Sequence, residues 1–365
     1  MPAVHRPPDL GQLQTGADLI YQTRFNEARQ IFQTYQKNHP DQPEGYFMES
    51  MVFWWKVLLS RQTGEWDQTF LDEMDQTIAQ LERLMELNPD KEASIRFYLA
   101  GCYGFKARLA AQKEEWIEAA TNGLHAYPIL TDLLQSTPFP DARLGTGIFL
   151  YYASWVPERF PFLSRFLFFL PPADRERGLS DLTIAAREGT LTQFEASYFL
   201  LQIYMDWQPD PKKALILSDS LFRRFPSNPL FHQQHAITLG KNRKLSESRA
   251  MFAEMIRLAA SPGWYQSFLS PRFWYEYGMV LQADGAWSEA IQSFSKSMNL
   301  YKNRPQLPMK TWYLRSMLET GRYLTLKGHQ NEAVLLWEQV ADEASGSLRE
   351  EAISLLKRQK ESFAQ

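Results

Sequence analysis

Two histidines, a few carboxylates, one thiol and a pair of glycines are the residues of this chain whose spacing invites a chemical reading. His232-x2-His235 sets two imidazoles three apart on one helical face, where both could reach one metal ion. No aspartate, glutamate or third histidine lies close by in sequence to complete a ligand set. The pair therefore reads as one packed and one surface histidine. Asp72-Glu73-x-Asp75 and Glu114-Glu115 juxtapose carboxylates, which do acid–base work when one of them is buried and its pKa raised. Both clusters fall on amphipathic stretches rich in Gln and Lys, so a solvated face is the expectation. Cys102 lies in an apolar helical run and reads as a buried, inert thiol. Gly145-x-Gly147 lacks the third glycine and the preceding strand of a dinucleotide loop, and no phosphate loop, Gly-x-Ser-x-Gly elbow or His-Glu-x-x-His helix occurs. The expectations are no enzyme activity, no metal and no cofactor.

The chain that must position these residues has 365 of them, a net charge of -3 and 44% hydrophobic residues. That is ample for a packed core. Its 11 Trp, 16 Tyr and 24 Phe are rings enough to fill inter-helix space and also to line a recognition surface. A near-neutral charge argues against bulk nucleic-acid binding, which needs a basic stripe. The single cysteine excludes an internal disulfide and a cysteine-based metal site, and suits the cytosol or a periplasm alike. The first eight residues lack the apolar core of a signal peptide, and a removed signal would leave the same sequence. The longest apolar stretch, Ile148 to Leu170, is interrupted by Pro157, Glu158, Arg159, Pro161 and Arg165, which argues against a membrane-spanning helix.

No segment alternates with period two, so essentially no sheet is expected. A different periodicity recurs. Trp274-x2-Tyr277-Gly278-x2-Leu281 is followed by Ala290-x3-Phe294, with Asp284-Gly285 between. Ala28 and Phe32 with Gly16, Thr77 and Leu81, Ala214 with Tyr198 and Leu201, Ser248 and Phe252, and Ala333 and Trp337 with Gly321 repeat it. The pattern resembles the tetratricopeptide repeat, a helix–turn–helix unit that folds only by stacking. The spacings Ala214 to Ser248, Ser248 to Ala290 and Ala290 to Ala333 are 34, 42 and 43 residues, the excess falling in Pro-bearing connections at 259–263 and 303–308. Asn88-Pro89-Asp90, Asn228-Pro229 and Asp284-Gly285 mark helix ends. Small residues such as Gly278 and Ala290 are expected to face each other where paired helices cross closely.

The fold expected is all-α: a tetratricopeptide-type α-α superhelix, or solenoid, of six or seven helix pairs with divergent central helices. Residues 1–8 read as an N-terminal extension, 9–139 as N-terminal helical repeats and 140–190 as a divergent aromatic-rich block. Residues 191–345 read as C-terminal tetratricopeptide repeats and 346–365 as a capping helix. In the middle of the chain, over 92–190, Ile95 to Ala111 and Trp116 to Tyr127 form a helix pair. Then come Gly145, Gly147 and Phe149, the step Ser154 to Pro157, an aromatic run, and Asp174-Arg175-x2-Gly178-Leu179-x2-Leu182. This block, over about 140–205, resembles the tetratricopeptide repeat protein 39 family, related to the inclusion-body clearance proteins. It departs from that family at Phe169-Leu170-Pro171-Pro172-Ala173, where a Gly-Phe turn is usual. The resemblance implies an all-helical scaffold and no catalytic residues.

Tetratricopeptide resemblance further implies that the first helix of each pair lines a concave face. In this register that face comprises Phe199, Ile203 and Trp207, then Gln233 and Ile237, then Arg272, Tyr275, Met279 and Gln282, then Arg315, Leu318 and Arg322. Aromatic, Met and Arg residues are the types enriched at binding hot spots, and three arginines suit a carboxylate or an acidic peptide. The lysine/asparagine clamp of some repeats is not evident, since Leu13 and Ala17 hold its positions in the first unit. The expectation is a non-catalytic scaffold or adaptor holding a protein or peptide partner in that face. The alternative is a peripheral membrane or envelope-assembly factor that uses the aromatic block 148–170, with Arg159 and Arg165 as anchors.

Overall fold

The computed structural model describes residues 7–60, 63–136, 140–159, 174–304 and 309–363. Every regular element among them is helical, as the missing period-two pattern implies. The chain forms two compact units, Met1–Asn228 and Pro229–Gln365.

The first unit is a succession of packed helix pairs. They are α1 (Leu10–Tyr21) with α2 (Phe25–Asn38), α3 (Glu44–Ser60) with α4 (Asp67–Leu87), α5 (Glu92–Gln112) with α6 (Trp116–Ser136), α7 (Ala142–Arg159) with α8 (Arg175–Glu188), and α9 (Gln193–Gln202) with α10 (Pro211–Arg224). A single π turn, Ile203–Trp207, prolongs α9. The second unit holds α11 (Pro229–Lys241) with α12 (Leu245–Leu258), the short α13 (Trp264–Phe268), α14 (Pro271–Ala283) with α15 (Trp287–Asn303), and α16 (Lys310–Leu326) with α17 (Gln330–Glu343). Helix α18 (Gly346–Phe363) packs on α17 and buries Ala352 there. These are tetratricopeptide-type pairs. Among the described residues they number eight, more than the six or seven expected, because the central block builds the regular pair α7–α8 rather than an irregular insert. Helix α6 also runs through Pro128 to Ser136, past Tyr127 where the sequence reading stopped.

What sets the pair geometry is a glycine on the first helix receiving a large ring from the second, sixteen residues on. A β-carbon on Gly16 would lie 2.4 Å from the Phe32 ring, on Gly278 2.5 Å from Phe294, and on Gly321 2.4 Å from Trp337. All three rings are buried. The partner of Gly278 is thus Phe294 and not Ala290 as expected; Ala290 is buried one turn earlier, where its small size lets the ring reach across. Trp337 adds a hydrogen bond, Nε1 donating to the Leu318 carbonyl at 3.1 Å. Gly278→Leu is expected to lower the thermal midpoint by an overpacking cost of about 1–3 kcal/mol while the helical far-ultraviolet signal persists. An unmoved midpoint would refute the register.

The α7–α8 pair is tighter still. A β-carbon on Gly178 would fall 2.7 Å from the Tyr151 amide nitrogen and 3.0 Å from the Gly147 carbonyl; one on Gly147 would meet the Leu182 nitrogen at 2.9 Å. Backbone meets backbone here, so these two glycines allow an approach that no side chain permits. Asp174 caps α8 by accepting from the Arg177 amide at 2.9 Å. Asp141, just before α7, accepts from the amides of Thr190, Leu191 and Thr192, each at 2.9 Å, and so ties the α8–α9 connection to the start of α7.

The first unit also closes on itself. Helix α1 meets the end of α10: Arg224 pairs with Asp18 at 2.5 Å, and Asn228 donates to the Tyr21 carbonyl at 2.8 Å. The Tyr21 ring packs on Phe194 and Phe225, with centroids 5.5 and 5.0 Å away. First and last pairs of this unit are therefore neighbours in space.

Candidate binding sites

Closure leaves a hollow. The chamber in the unit Met1–Asn228 has a volume of about 530 Å³, within the usual range of ligand pockets. Its wall is drawn mainly from the first helices of the pairs: Tyr21 of α1, Met51 and Trp55 of α3, Phe105 of α5, Ile148 of α7 and Phe199 of α9 are representative. Helix α6 contributes too, through Gly123 and Tyr127. The wall is overwhelmingly apolar; Glu44, Ser94, Arg108, Asp141, Thr190, Thr192 and Glu195 are its polar exceptions.

Four wall glycines divide into two kinds. Gly101 and Gly145 make room for neighbours, since a β-carbon on them would lie 2.8 Å from Phe47 and 2.3 Å from Leu130. Gly104 has nothing within 4 Å, and Gly123 has only Phe149 at 3.7 Å. Both sit inside long helices, where glycine costs roughly 0.5–1 kcal/mol relative to alanine. At these two positions helix packing gives no return for that cost.

Arg108 of α5, one turn beyond Gly104, brings a positive charge to the chamber wall. Its Nη1 donates to Glu195 Oε1 at 2.7 Å and its Nη2 to Gln202 at 3.3 Å. The guanidinium lies over Phe199, 3.9 Å from the ring centroid, and over Trp54 at 4.7 Å. Both partners of the pair are almost fully buried, at 10% and 3% side-chain exposure. Burial pushes the Glu195 carboxyl above its ordinary range, against the pull of Arg108. Oε2 of Glu195 has no well-aligned donor among the described residues.

The residues expected to line a partner groove are distributed over both units. In the first, Phe199 and Ile203 are buried, Phe199 on the chamber wall, and Trp207 is half-buried against Tyr152. In the second, Gln233, Ile237, Tyr275 and Leu318 are buried, while Arg272, Met279, Gln282 and Arg322 are half-buried and Arg315 is exposed. In the second unit three of them meet at Trp312, one helical turn before Arg315 and not among the positions expected from the repeat register. Arg272 and Arg315 both lie over its ring, at 5.0 and 5.7 Å, and the Tyr275 ring stands 5.4 Å from it. Arg272 has Glu276 at 3.9 Å; among the described residues Arg315 has no carboxylate within ion-pair distance. Burial, then Glu276 and Glu319, push the Tyr275 phenol up to about 12. Further along the same helices, Glu319 accepts from Gln282 at 3.2 Å and from Arg322 at 2.6 Å, and Arg322 also pairs with Glu351.

The other chemical readings resolve structurally. His232 and His235 are both buried, so the expected surface histidine is a packed one, and His232 Nδ1 meets the Tyr265 hydroxyl at 3.1 Å. Burial lowers the His232 pKa to about 4, which keeps the ring neutral. Asp72 and Asp75 lie on the exposed face of α4, Asp75 bound to Lys106 at 2.6 Å, but Glu73 between them is half-buried, and burial raises its carboxyl pKa. Glu114 occupies a left-handed turn position between α5 and α6, and Glu115 pairs with Lys113. Cys102 is buried, and burial raises its thiol pKa. Among the described residues no group of three or more His, Cys, Asp or Glu is placed to hold a metal ion, and no helix is long and apolar enough to cross a membrane. Residues 160–170 of the aromatic block lie outside the described residues.

No family model matches this chain, and no curated protein does. Solved structures of helical repeat proteins resemble it. A human IFIT1 dimer with PPP-AAAA is 16% identical, with a TM-score of 0.42 over 87% of this chain and 68% of that one. Yeast Tom70 is 12% identical, with a TM-score of 0.33 over 97% of this chain and 96% of that one. The TPR domain of P58(IPK) is 13% identical, with a TM-score of 0.25 over 98% and 99%.

Proposed function

We propose that this chain is a non-catalytic interaction scaffold, and that the unit Pro229–Gln365 holds a segment of a partner protein against α14 and α16. The observation that carries this reading is the Arg272–Trp312–Arg315 stack beside Tyr275. A guanidinium over an indole can still grip a carboxylate, and Arg315 is exposed with no acidic partner within ion-pair distance among the described residues. Met279, Gln282 and Arg322 extend the same surface, while Gln233, Ile237 and Leu318 are buried. Phe199, Ile203 and Trp207 belong to the other unit, where Phe199 lines the chamber. The partner segment that suits the stack is acidic and carries an aromatic or aliphatic anchor. The likeness of residues 140–205 to the tetratricopeptide repeat protein 39 family supports a scaffold and supplies no catalytic group.

The test is affinity capture from host lysate, read by mass spectrometry, with wild type beside Arg315→Glu. The changed side chain is exposed, so the fold is retained, as circular dichroism checks. The expected result is a partner bound by wild type and at least roughly tenfold depleted with the variant, the effect of losing one hot-spot arginine. Identical partner sets would overturn the assignment to this surface.

A further inference from the structure

Independently of the reading above, we propose that the chamber of the unit Met1–Asn228 is a binding site for a small amphiphile: one apolar chain or ring system ending in a hydrogen-bond donor, an alcohol or an amine.

Three observations converge on it. The hollow is about 530 Å³ and walled by aromatic, aliphatic and glycine residues, a surface that apolar ligands wet better than water does. Gly104 and Gly123 face it without a packing reason, because a β-carbon on either would find open space or ordinary contact. Larger side chains at these positions would favour their helices and fill the hollow, so glycine is what keeps its lumen open. The polar end is Glu195, 3% exposed, whose Oε1 is taken by Arg108 and whose Oε2 has no well-aligned donor among the described residues, though the Trp54 and Trp55 indoles also favour its charged form.

Charge selects the head group. Among the described residues Arg108 is the only cation on the chamber wall, and it is already matched by Glu195 and Gln202. The other charged groups there are Glu44 and Asp141, and Asp141 is occupied by the amides of residues 190–192. A carboxylate or phosphate head would bring a negative charge to a wall with no cation left to receive it. A hydroxyl or ammonium can donate to Glu195 Oε2, beside the guanidinium that holds Oε1.

The experiment titrates the full chain by calorimetry with dodecanol, dodecylamine and dodecanoate, each below its aggregation limit, for wild type, Gly104→Leu and Arg315→Glu. Wild type is expected to bind the alcohol or the amine at least tenfold more tightly than the carboxylate; the two arms tell which donor is preferred. Gly104→Leu should weaken that binding at least tenfold with a thermal midpoint equal to or above wild type, since leucine favours the helix. Arg315→Glu should leave it unchanged, which separates this site from the partner surface. Three outcomes would overturn the proposal: no binding of any of the three, equal or tighter binding of dodecanoate, or unchanged binding in Gly104→Leu. Loss of a lysate partner in Gly104→Leu without amphiphile binding would do so too, by placing a partner's side chains in the chamber.

Discussion

Gly178→Ala is expected to destabilise the chain by about 3 kcal/mol or more, at or beyond the upper end of the usual overpacking range. One methyl group has this effect because of what it strikes. Its neighbours would be the Tyr151 amide nitrogen at 2.7 Å, the Gly147 carbonyl oxygen at 3.0 Å and the Tyr151 Cα at 3.1 Å. A flexible side chain could turn aside; two helix backbones cannot, and α7 would have to lift from α8. Lifting it would also open the cluster of Tyr151, Leu182, Ala185 and Ala196, all fully buried. The control is the same substitution at Gly104, where nothing lies within 4 Å. There alanine should add roughly 0.5–1 kcal/mol through helix propensity. Urea unfolding of both variants reads the two signs in one experiment, and a Gly178→Ala midpoint equal to wild type would show that the backbones do not touch as described.

Arg108→Met carries the second large effect. It leaves the Glu195 carboxylate buried at 3% exposure beside Trp54, Tyr198 and Phe199 with no countercharge, a loss of about 3–5 kcal/mol. For a unit of this size that is on the order of 10 °C in thermal midpoint. Arg108→Met combined with Glu195→Met should recover most of the loss, because two well-packed apolar side chains replace a buried pair at little net cost. The coupling from the full cycle is therefore large and of opposite sign to the single losses. Additive losses in the double variant would mean that the pair does not act as one.

The helix pairs were legible because their signal is local. Gly16 with Phe32, Gly278 with Phe294 and Gly321 with Trp337 recur at one spacing, and the turns between helices carry Gly285 and Gly328 in the left-handed region. The central pair was half legible. Gly147 and Gly178 stood out as a resemblance, yet their touching across 31 positions of sequence had no periodicity to announce it. The chamber was not legible at all. It depends on Arg108 finding Glu195 across 87 positions and Asn228 finding Tyr21 across 207. No spacing rule connects such residues, and Gly104 and Gly123 look in sequence like ordinary helix-weakening glycines. Among the positions expected to line a groove, rings such as Phe199 and Tyr275 bury themselves among neighbours, and Arg315 is the exposed member.

The ties from Arg224 to Asp18 and from Asn228 to Tyr21 change what kind of polymer the first unit is. An open array of repeats behaves as a one-dimensional chain of nearest neighbours, in which an end can fray or be deleted and the remainder still stands. Joining the first pair to the last removes both ends. Contacts at a separation near two hundred residues form only after the intervening chain is ordered, so assembly becomes slower and its final step conditional on all the others. Removing any one pair then breaks a circle rather than shortening a line. A module of this kind cannot grow or shrink by duplicating a repeat without reopening its seam, and its length is therefore held by geometry.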